Sequence, residues 1–457
     1  MSFNSFKANR QSRLILIALV VIGLLYTTSL PQTTQREKPK LKDFGSSLKK
    51  FKWDLQKNQT VNNAAPSRTN NSDDDVVTIE TSLVVSDLLV TDNQGRPQHD
   101  LKATDFVISE DGVPQQVGLF TLGDNANLSR SIVLIIDYSR SQFPYIAESI
   151  EAAKILVDKI GPHDQMAIVT DDIDLLEDFS SDKRALKRAL DSLIERNRGS
   201  KGLLGVGKKN PQFGRSAQFS ALMATLNEAF DEEDQHPVIV FQTDGDEIEY
   251  LRNSIIIHEV PPGLSPELRG EIQEEVEQKK RLQRANLTEF SLEDVFRAVE
   301  KSRATMYTIV PRTRLLGFSE DEQIRRLTAE DERAVATWSA AASSTKMKNL
   351  LQARQQERQK KFTRELWQAR LDQEIKIQQS LVELAKLSGG WAEFLETNSQ
   401  AAGIYNRIVQ DLNQRYIIGY YPTNKEHDGK RRHISISVKG HPDYVITGRT
   451  SYYAPEP

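Results

Sequence analysis

The chain has 457 residues, of which 38% are hydrophobic and 27% are charged, a length that suits two or three domains and a composition that can build a core. The formal net charge of −4 is small for this length, so no nucleic-acid partner is expected. The sequence has no cysteine, which excludes disulfides, thiolate zinc sites and cysteine nucleophiles, and its 7 histidines form no His-x-His or His-x-x-x-His pair for zinc.

The N-terminus has the pattern of an export signal or a membrane anchor. Basic residues precede an almost wholly apolar run at 14–25, which is short for a bilayer-spanning helix of about 20 residues. No clear Ala-x-Ala cleavage site follows it. We therefore expect residues 1–35 to be an uncleaved signal anchor, with a cleaved signal peptide as the alternative. The rest of the chain is then expected to be extracytoplasmic, either membrane-anchored or secreted, in the periplasm or at the cell surface. Residues 36–75, rich in Lys and then in Asn, Ser and Asp, predict a flexible linker.

Residues 76–124 predict a small β unit. Strand-type segments are separated by turns at 92–97 and 110–112. The segment is short for an independent sandwich, so we expect strands from elsewhere in the chain to complete it.

Residues 128–414 alternate strand and helix patterns, which predicts a doubly wound, mostly parallel α/β sheet. The apolar run 131–136 suits a strand buried on both faces and leads into Asp137. A second apolar strand at 238–241 leads into Thr243-Asp244-Gly245. Ligands of such sheets bind at the carboxyl ends of strands, near a topological switch point, and both aspartates are expected there.

The Asp137-x-Ser139-x-Ser141 loop has the side chains of a divalent metal site. One carboxylate and two hydroxyls are hard oxygen ligands, the set that magnesium prefers. Asp244, at the end of a second strand, can accept hydrogen bonds from metal-bound waters.

These motifs resemble the metal-ion-dependent adhesion site (MIDAS) of von Willebrand factor A-type (VWA) domains. The family has a threonine at the start of a helix as its third element, and Ser216 stands in that place here. The resemblance implies a site made of Asp137, Ser139, Ser141, Ser216 and Asp244 that holds Mg²⁺, or alternatively Mn²⁺ or Ca²⁺. The β unit and the C-terminal strands also look like the exported VWA-related proteins common in acidobacteria.

Two charged insertions interrupt the alternating pattern, at 262–290 and at 312–380, and both are expected to be helical. The longer one is either a helical hairpin packed on the domain or a helix that binds a partner. Residues 415–457 contain three strand-type segments, at 416–421, 433–438 and 445–452. We expect them to pair with the N-terminal strands, so that the VWA-type domain is inserted into one β-sandwich.

The leading functional hypothesis is a metal-dependent protein-binding module for adhesion or assembly, in which a partner's Asp or Glu carboxylate completes the metal coordination. Tyr138 and Arg140 are expected to contact that partner. The alternative is a metal-independent scaffold that acts through the helical insertion. An enzyme such as a metal-dependent hydrolase is less favoured, because Ser139 stands where an aspartyl-phosphate enzyme commonly has its second acid.

Overall fold

A computed structural model describes residues 83–124, 129–198, 217–230, 236–342 and 345–456. The predicted membrane segment at 1–35, the linker at 36–75 and Ser216 lie outside the described residues. Within the described ranges, no helix is long and apolar enough to cross a membrane.

The described ranges contain strands and helices in the following order along the chain. The strands are β1 Val84–Thr91, β2 Phe106–Glu110, β3 Val113–Gln115, β4 Val117–Leu122, β5 Ser131–Ile136, β6 Gln165–Thr170, β7 Leu175–Ser180, β8 Pro237–Gln242, β9 Thr305–Val310, β10 Ala392–Phe394, β11 Tyr416–Tyr420, β12 Arg431–Val438, β13 Val445–Thr447 and β14 Ser451–Tyr453. The helices are α1 Ile146–Lys159, α2 Lys183–Arg198, α3 Gln218–Glu228, α4 Pro266–Ala285, α5 Leu292–Lys301, α6 Glu320–Ala341, α7 Thr345–Lys361, α8 Arg364–Leu387 and α9 Ala401–Gln414.

Six strands form the central sheet in the order β10-β9-β8-β5-β6-β7. All neighbours are parallel except β7, which runs antiparallel to β6 at one edge. The predicted mixed α/β fold with a mostly parallel sheet is therefore confirmed. From β5 the chain builds β6 and β7 on one side and then crosses to β8 and β9 on the other. The switch point consequently lies between β5 and β8, the two strands that precede Asp137 and Asp244.

Helices cover both faces of this sheet because side chains alternate across a strand. Val133 and Ile135 of β5 pack on one face with residues of α3, α5 and α8. Ile132 and Leu134 pack on the other face with residues of α1, α2 and α9. The strand is thus buried on both sides, which explains its unbroken apolar sequence.

The long insertion forms three helices, α6, α7 and α8, rather than a single hairpin. The predicted boundary at residue 380 falls within α8, because Ile377, Leu381 and Leu384 of this helix belong to the core beneath the sheet. Leu315, Leu327 and Leu371 form a smaller core that joins α6 and α8. The insertion is therefore continuous with the α/β unit through α8.

Two four-stranded sheets, with the orders β13-β1-β11-β4 and β14-β12-β2-β3, share one apolar core of their own. β1 and β4 flank β11, and β2 pairs with β12, so each sheet combines strands from the two ends of the described chain. The single strand predicted at 445–452 is two strands in different sheets. The chain crosses between them at Gly448, where a Cβ atom would clash with the Leu88 side chain.

Arg415 joins this two-sheet unit to the α/β unit. The residue is fully buried, and its guanidinium contacts the Asp411 carboxylate at 2.8 Å. The same group donates to the carbonyl oxygens of Gly389 at 2.9 Å and of Asp87 in β1 at 3.2 Å. One side chain therefore ties together α9, the segment after α8, and β1.

Candidate metal centre

The site begins where β5 and β8 end side by side. Their parallel register pairs Ile136 with Gln242, and the backbone N–H of Asp137 donates to the Gln242 carbonyl at 3.1 Å. Asp137 and Thr243 therefore start two adjacent loops at the carboxyl edge of the sheet. One loop carries Ser139 and Ser141, and the other carries Asp244.

Hydrogen bonds bring the four described site residues together. Asp137 Oδ1 accepts from the backbone N–H of Ser139 at 2.9 Å, which turns the loop sharply after the strand. Ser139 Oγ and Ser141 Oγ are 3.0 Å apart, and the Ser141 hydroxyl donates to Asp244 Oδ2 at 2.5 Å. Asp137, Ser139 and Asp244 are buried, and Ser141 is half-buried. Two hydroxyls and two carboxylates thus lie in one connected network.

Gln218, the first residue of α3, links the two carboxylates. Its Nε2 donates to Asp137 Oδ2 at 2.7 Å and to Asp244 Oδ1 at 3.0 Å, while its Oε1 accepts from the Thr243 hydroxyl at 2.6 Å. The Glu247 carboxylate accepts from the backbone N–H and the hydroxyl of Ser220, which holds this end of α3 in place. Neither Gln218 nor Glu247 was predicted, because neither occupies a position of the Asp-x-Ser-x-Ser motif.

The two aspartates differ in their electrostatic surroundings. Burial and the nearby Asp244 charge raise the pKa of Asp137 well above its usual value. Burial also raises the pKa of Asp244, but the positive charge of Arg312 and the hydrogen bond from Ser141 outweigh it, and that pKa is lowered. Asp244 therefore keeps its negative charge, and Asp137 is the carboxylate that a nearby cation would stabilise most.

Arg312, which follows β9, brings positive charge to the second loop. Its Nη2 donates to Asp246 Oδ1 at 3.0 Å, and its Nη1 contacts Glu374 of α8. Burial and the Asp244 charge raise the pKa of Asp246 to about 8, against the opposing effect of Arg312. Arg312 therefore couples the insertion to the loop that carries Asp244.

A third strand end lies beside the first two. Asp171 follows β6, and its Oδ1 accepts from the backbone N–H of Tyr138 at 3.2 Å. The Tyr138 hydroxyl donates to Asp172 Oδ2 at 2.9 Å, and only 4% of the tyrosine surface is exposed. The prediction that Tyr138 contacts a partner is therefore wrong, because its side chain is used to hold the loop after β6. Asp171 was not predicted, although its position directly after an apolar strand is the signal that marks it in the sequence.

The helical insertion packs against the Asp137–Ser141 loop. Trp338 of α6 stacks on Phe143 with ring centroids 4.4 Å apart, and the Arg140 guanidinium lies 5.0 Å from the Trp338 ring. On the other loop, Gly245 has φ +77°, and a Cβ atom there would lie 2.6 Å from Ile377 Cγ2 of α8. Helices of the insertion thus line both loops of the site.

The donor set fits a small divalent cation because all four described side chains offer oxygen atoms. In the part of the chain that the structure describes, no three His, Asp or Glu side chains converge to hold one ion. A metal here would therefore depend on the serine hydroxyls and on water, as well as on carboxylates. Ser216, the remaining predicted ligand, lies outside the described residues.

No family model and no curated protein matches the sequence. Solved structures do match. An aerotolerance-related membrane protein from Bacteroides fragilis is 14% identical, over 63% of this chain and 100% of that one, with a TM-score of 0.30. The vWF domain of the type V pili tip protein Mfa5 from Porphyromonas gingivalis is 12% identical, over 63% and 95%, with a TM-score of 0.30. Manganese-loaded TRAP from Plasmodium vivax is 10% identical, over 77% and 100%, with a TM-score of 0.26.

The chain covers only 26% of a longer structure that contains three N-terminal domains of Mfa5, at 16% identity and a TM-score of 0.21. These identities and scores are low, so they add nothing about ligands or partners. Some of the matched structures are described as vWF-type domains, whereas the fold of this chain is described by its own sheet order and strand directions.

Proposed function

We propose that the carboxyl edge of the central sheet is a MIDAS-type site that binds Mg²⁺, or Mn²⁺ or Ca²⁺ in its place, and that this chain is a metal-dependent protein-binding module. The supporting observation is the network of Asp137, Ser139, Ser141 and Asp244, in which hydroxyl and carboxylate oxygens meet at the switch point.

In this proposal the two serine hydroxyls bind the cation directly. Asp137 and Asp244 offset its charge and orient its water molecules, as carboxylates around metal sites commonly do. The cation would relieve the repulsion between the two buried carboxylates, which Gln218 Nε2 bridges in the described network. Ser216 is the fifth proposed member and would contribute a further hydroxyl.

The proposed partner is a protein that donates an Asp or Glu carboxylate to the metal. Ser141 and Arg140 are the half-buried residues of the loop, so the partner would approach on their side. Trp338 lies on that same side, because it contacts both Arg140 and Phe143. Partner binding would then be coupled to movement of α6 relative to the loop.

We further propose that the site binds rather than catalyses. Ser139 occupies the position where a second acid would assist an aspartyl nucleophile. The hydroxyl of Ser141 donates to Asp244, an arrangement suited to orienting a ligand. The location that we propose is extracytoplasmic, with residues 1–35 as the membrane anchor.

The first test measures Mn²⁺ binding by the purified chain, using electron paramagnetic resonance, for the wild type and for Asp137→Ala and Ser141→Ala. We expect saturable binding by the wild type and weakened binding by both variants. Partners captured by the wild type should be released by EDTA and should not be captured by Asp137→Ala. Saturable Mn²⁺ binding that both variants retain would contradict the assignment, and so would partner capture that survives both EDTA and Asp137→Ala.

The alternative function is a metal-independent scaffold that acts through the insertion. It is favoured by one observation: Met347 and Leu350 of α7 are 42% and 38% exposed, respectively. The double change Met347→Lys and Leu350→Lys separates the two proposals. Under the scaffold proposal it abolishes partner capture, whereas under the metal proposal capture remains and stays sensitive to EDTA.

A further inference from the structure

We propose that Asp171 is an additional acidic group of the metal site, which holds a metal-bound water molecule through its Oδ2 atom. This inference rests on the proposed function, since it concerns the same site. It adds a residue from the loop after β6, a strand that contributes nothing to the Asp-x-Ser-x-Ser pattern.

The position of Asp171 follows from strand pairing. β6 is the parallel neighbour of β5 on the side away from β8, and the register pairs Ile136 with Thr170. The backbone N–H of Asp171 donates to the Ile136 carbonyl at 3.1 Å. Asp171 therefore starts its loop directly beside the start of the Asp137 loop.

The two oxygens of the Asp171 carboxylate have different surroundings. Oδ1 accepts from the backbone N–H of Tyr138, the residue between Asp137 and Ser139. Oδ2 is fully buried and has no hydrogen-bond partner among the described residues. A buried carboxylate oxygen without a donor is costly, so a water molecule or a cation is expected to satisfy it.

A water-mediated role suits this geometry better than direct ligation. Within the described ranges, Asp171 does not form a converging group of three acidic side chains with Asp137 and Asp244. Its carboxylate is nevertheless held against the backbone of the loop that carries the two serine hydroxyls. It can therefore accept a hydrogen bond from a water molecule on the cation and add negative charge to the site.

A purely structural role would need only Oδ1. The Asn side chain keeps one carbonyl oxygen that can accept from the Tyr138 N–H, and it removes the negative charge. Asp171→Asn therefore separates the two roles. Asp172→Asn is the matched control, because Asp172 carries the same charge one residue later and accepts from the Tyr138 hydroxyl.

The test measures the Mn²⁺ dissociation constant of the full chain by electron paramagnetic resonance, with circular dichroism to show that each variant is folded. We expect Asp171→Asn to weaken binding by about 10- to 100-fold, the usual effect of losing a carboxylate behind a metal ligand. Asp172→Asn should weaken it much less. If Asp171→Asn does not fold, Asp171→Ser, a smaller neutral acceptor, is measured in its place.

Wild-type affinity in a folded Asp171 variant overturns this inference and leaves the proposed metal site standing. An equal loss in the Asp171 and Asp172 variants also overturns it, since the effect would then be one of general charge. Absence of Mn²⁺ binding by the wild type overturns the proposed function and this inference together.

Discussion

Trp338 stacks on Phe143, with ring centroids 4.4 Å apart and planes inclined by 26°. Phe143 lies two residues after Ser141, and Trp338 lies in α6, far along the chain. The contact therefore places the helical insertion on the loop that carries the proposed metal ligands.

Trp338→Ala should loosen this loop. A stacked aromatic pair contributes about 0.5–1.5 kcal/mol beyond the area that it buries, so the free energy of unfolding should fall by at least that amount. Association of Mn²⁺ should become faster, because the half-buried side of the loop is uncovered. Stopped-flow mixing with Mn²⁺ and urea unfolding measure the two effects.

Trp367→Ala is the control for that change, since Trp367 stands in the same insertion and packs on Phe362 rather than on the loop. It should lower stability without changing the rate of Mn²⁺ association. Equal association rates for the wild type and Trp338→Ala would show that α6 does not control access to the site.

Asp137→Asn should stabilise the metal-free protein and remove its response to metal. Burial and the Asp244 charge raise the pKa of Asp137, so its ionised form is disfavoured in the folded state and a neutral side chain relieves the repulsion. A ligand at 100 times its dissociation constant stabilises a protein by about 2.7 kcal/mol. In thermal unfolding, Mn²⁺ should therefore raise the melting temperature of the wild type but not that of Asp137→Asn. A variant whose melting temperature rises with Mn²⁺ as much as the wild type's would contradict the assignment.

Glu330→Gln should stabilise the protein more at pH 8 than at pH 5. Burial raises the pKa of Glu330 to about 7 from its ordinary value of 4.5, and the positive charge of Arg312 partly opposes this rise. At a pH between the two pKa values, Glu330 keeps its proton in the folded state but has lost it in the unfolded state. The free energy of unfolding therefore falls as the pH rises from 4.5 to about 7. Above about pH 7 Glu330 is ionised in the folded state, so the full free-energy cost of burying its charge is present. Glutamine carries no charge and removes this cost. Melting temperatures at the two pH values measure the difference.

The neighbouring change Glu332→Gln, at an exposed position of the same helix, is the control for Glu330. Its effect on the melting temperature should be small at both pH values. A stabilisation by Glu330→Gln that is equal at pH 5 and pH 8 would show that titration of Glu330 is not its cause.

Gly245→Ala should destabilise the fold at the site. The residue has φ +77°, which L side chains adopt at a cost of about 1–3 kcal/mol, and its new methyl group would meet Ile377. Gly270→Ala in α4 is the opposite case, because no atom outside its own helical turn lies within 4 Å of its added Cβ. That change should stabilise the protein by about 0.5–1 kcal/mol, since alanine favours a helix interior. Urea unfolding of both variants checks the opposite signs.

Arg415→Met should lower the free energy of unfolding, because Arg415 joins the two-sheet unit to the α/β unit. It leaves the buried Asp411 carboxylate without its cationic partner and removes donors from two carbonyl groups, a loss of about 3–5 kcal/mol for a buried pair. Arg325→Met removes an exposed pair with Glu322 and should cost about 0–1 kcal/mol. Equal losses in urea unfolding would mean that the burial of Arg415 has no special consequence.

Much of the α/β unit could be predicted from the sequence because its signals are local. The apolar run before Asp137 requires a strand that is buried on both faces, and such strands build parallel sheets between helices. The sequence also predicted that Asp137 and Asp244 lie at strand ends, and β5 and β8 end side by side in the structure. These inferences depend only on side-chain periodicity and on the residues that end each strand.

Tertiary structure alone decided what surrounds the Asp137 loop. The hydrogen bond that buries Tyr138 against Asp172 joins two strand ends, and no motif predicts it. The contact of Trp338 with Phe143 depends on how α6 folds back over the sheet. The alternation of β1, β11 and β4 joins segments about 300 residues apart, and their pairing depends on the apolar side chains that they bury together.

The sequence by itself therefore determined the chemistry of the loop, with its aspartate, its two serines and the strand before them, because these residues are adjacent in the chain. The fold decided which distant groups share that space: Gln218 between the carboxylates, Asp171 beside them and the insertion against the loop. The physical reason is that side-chain type and spacing are local properties, whereas burial and hydrogen-bond partners depend on packing between elements that are distant in sequence.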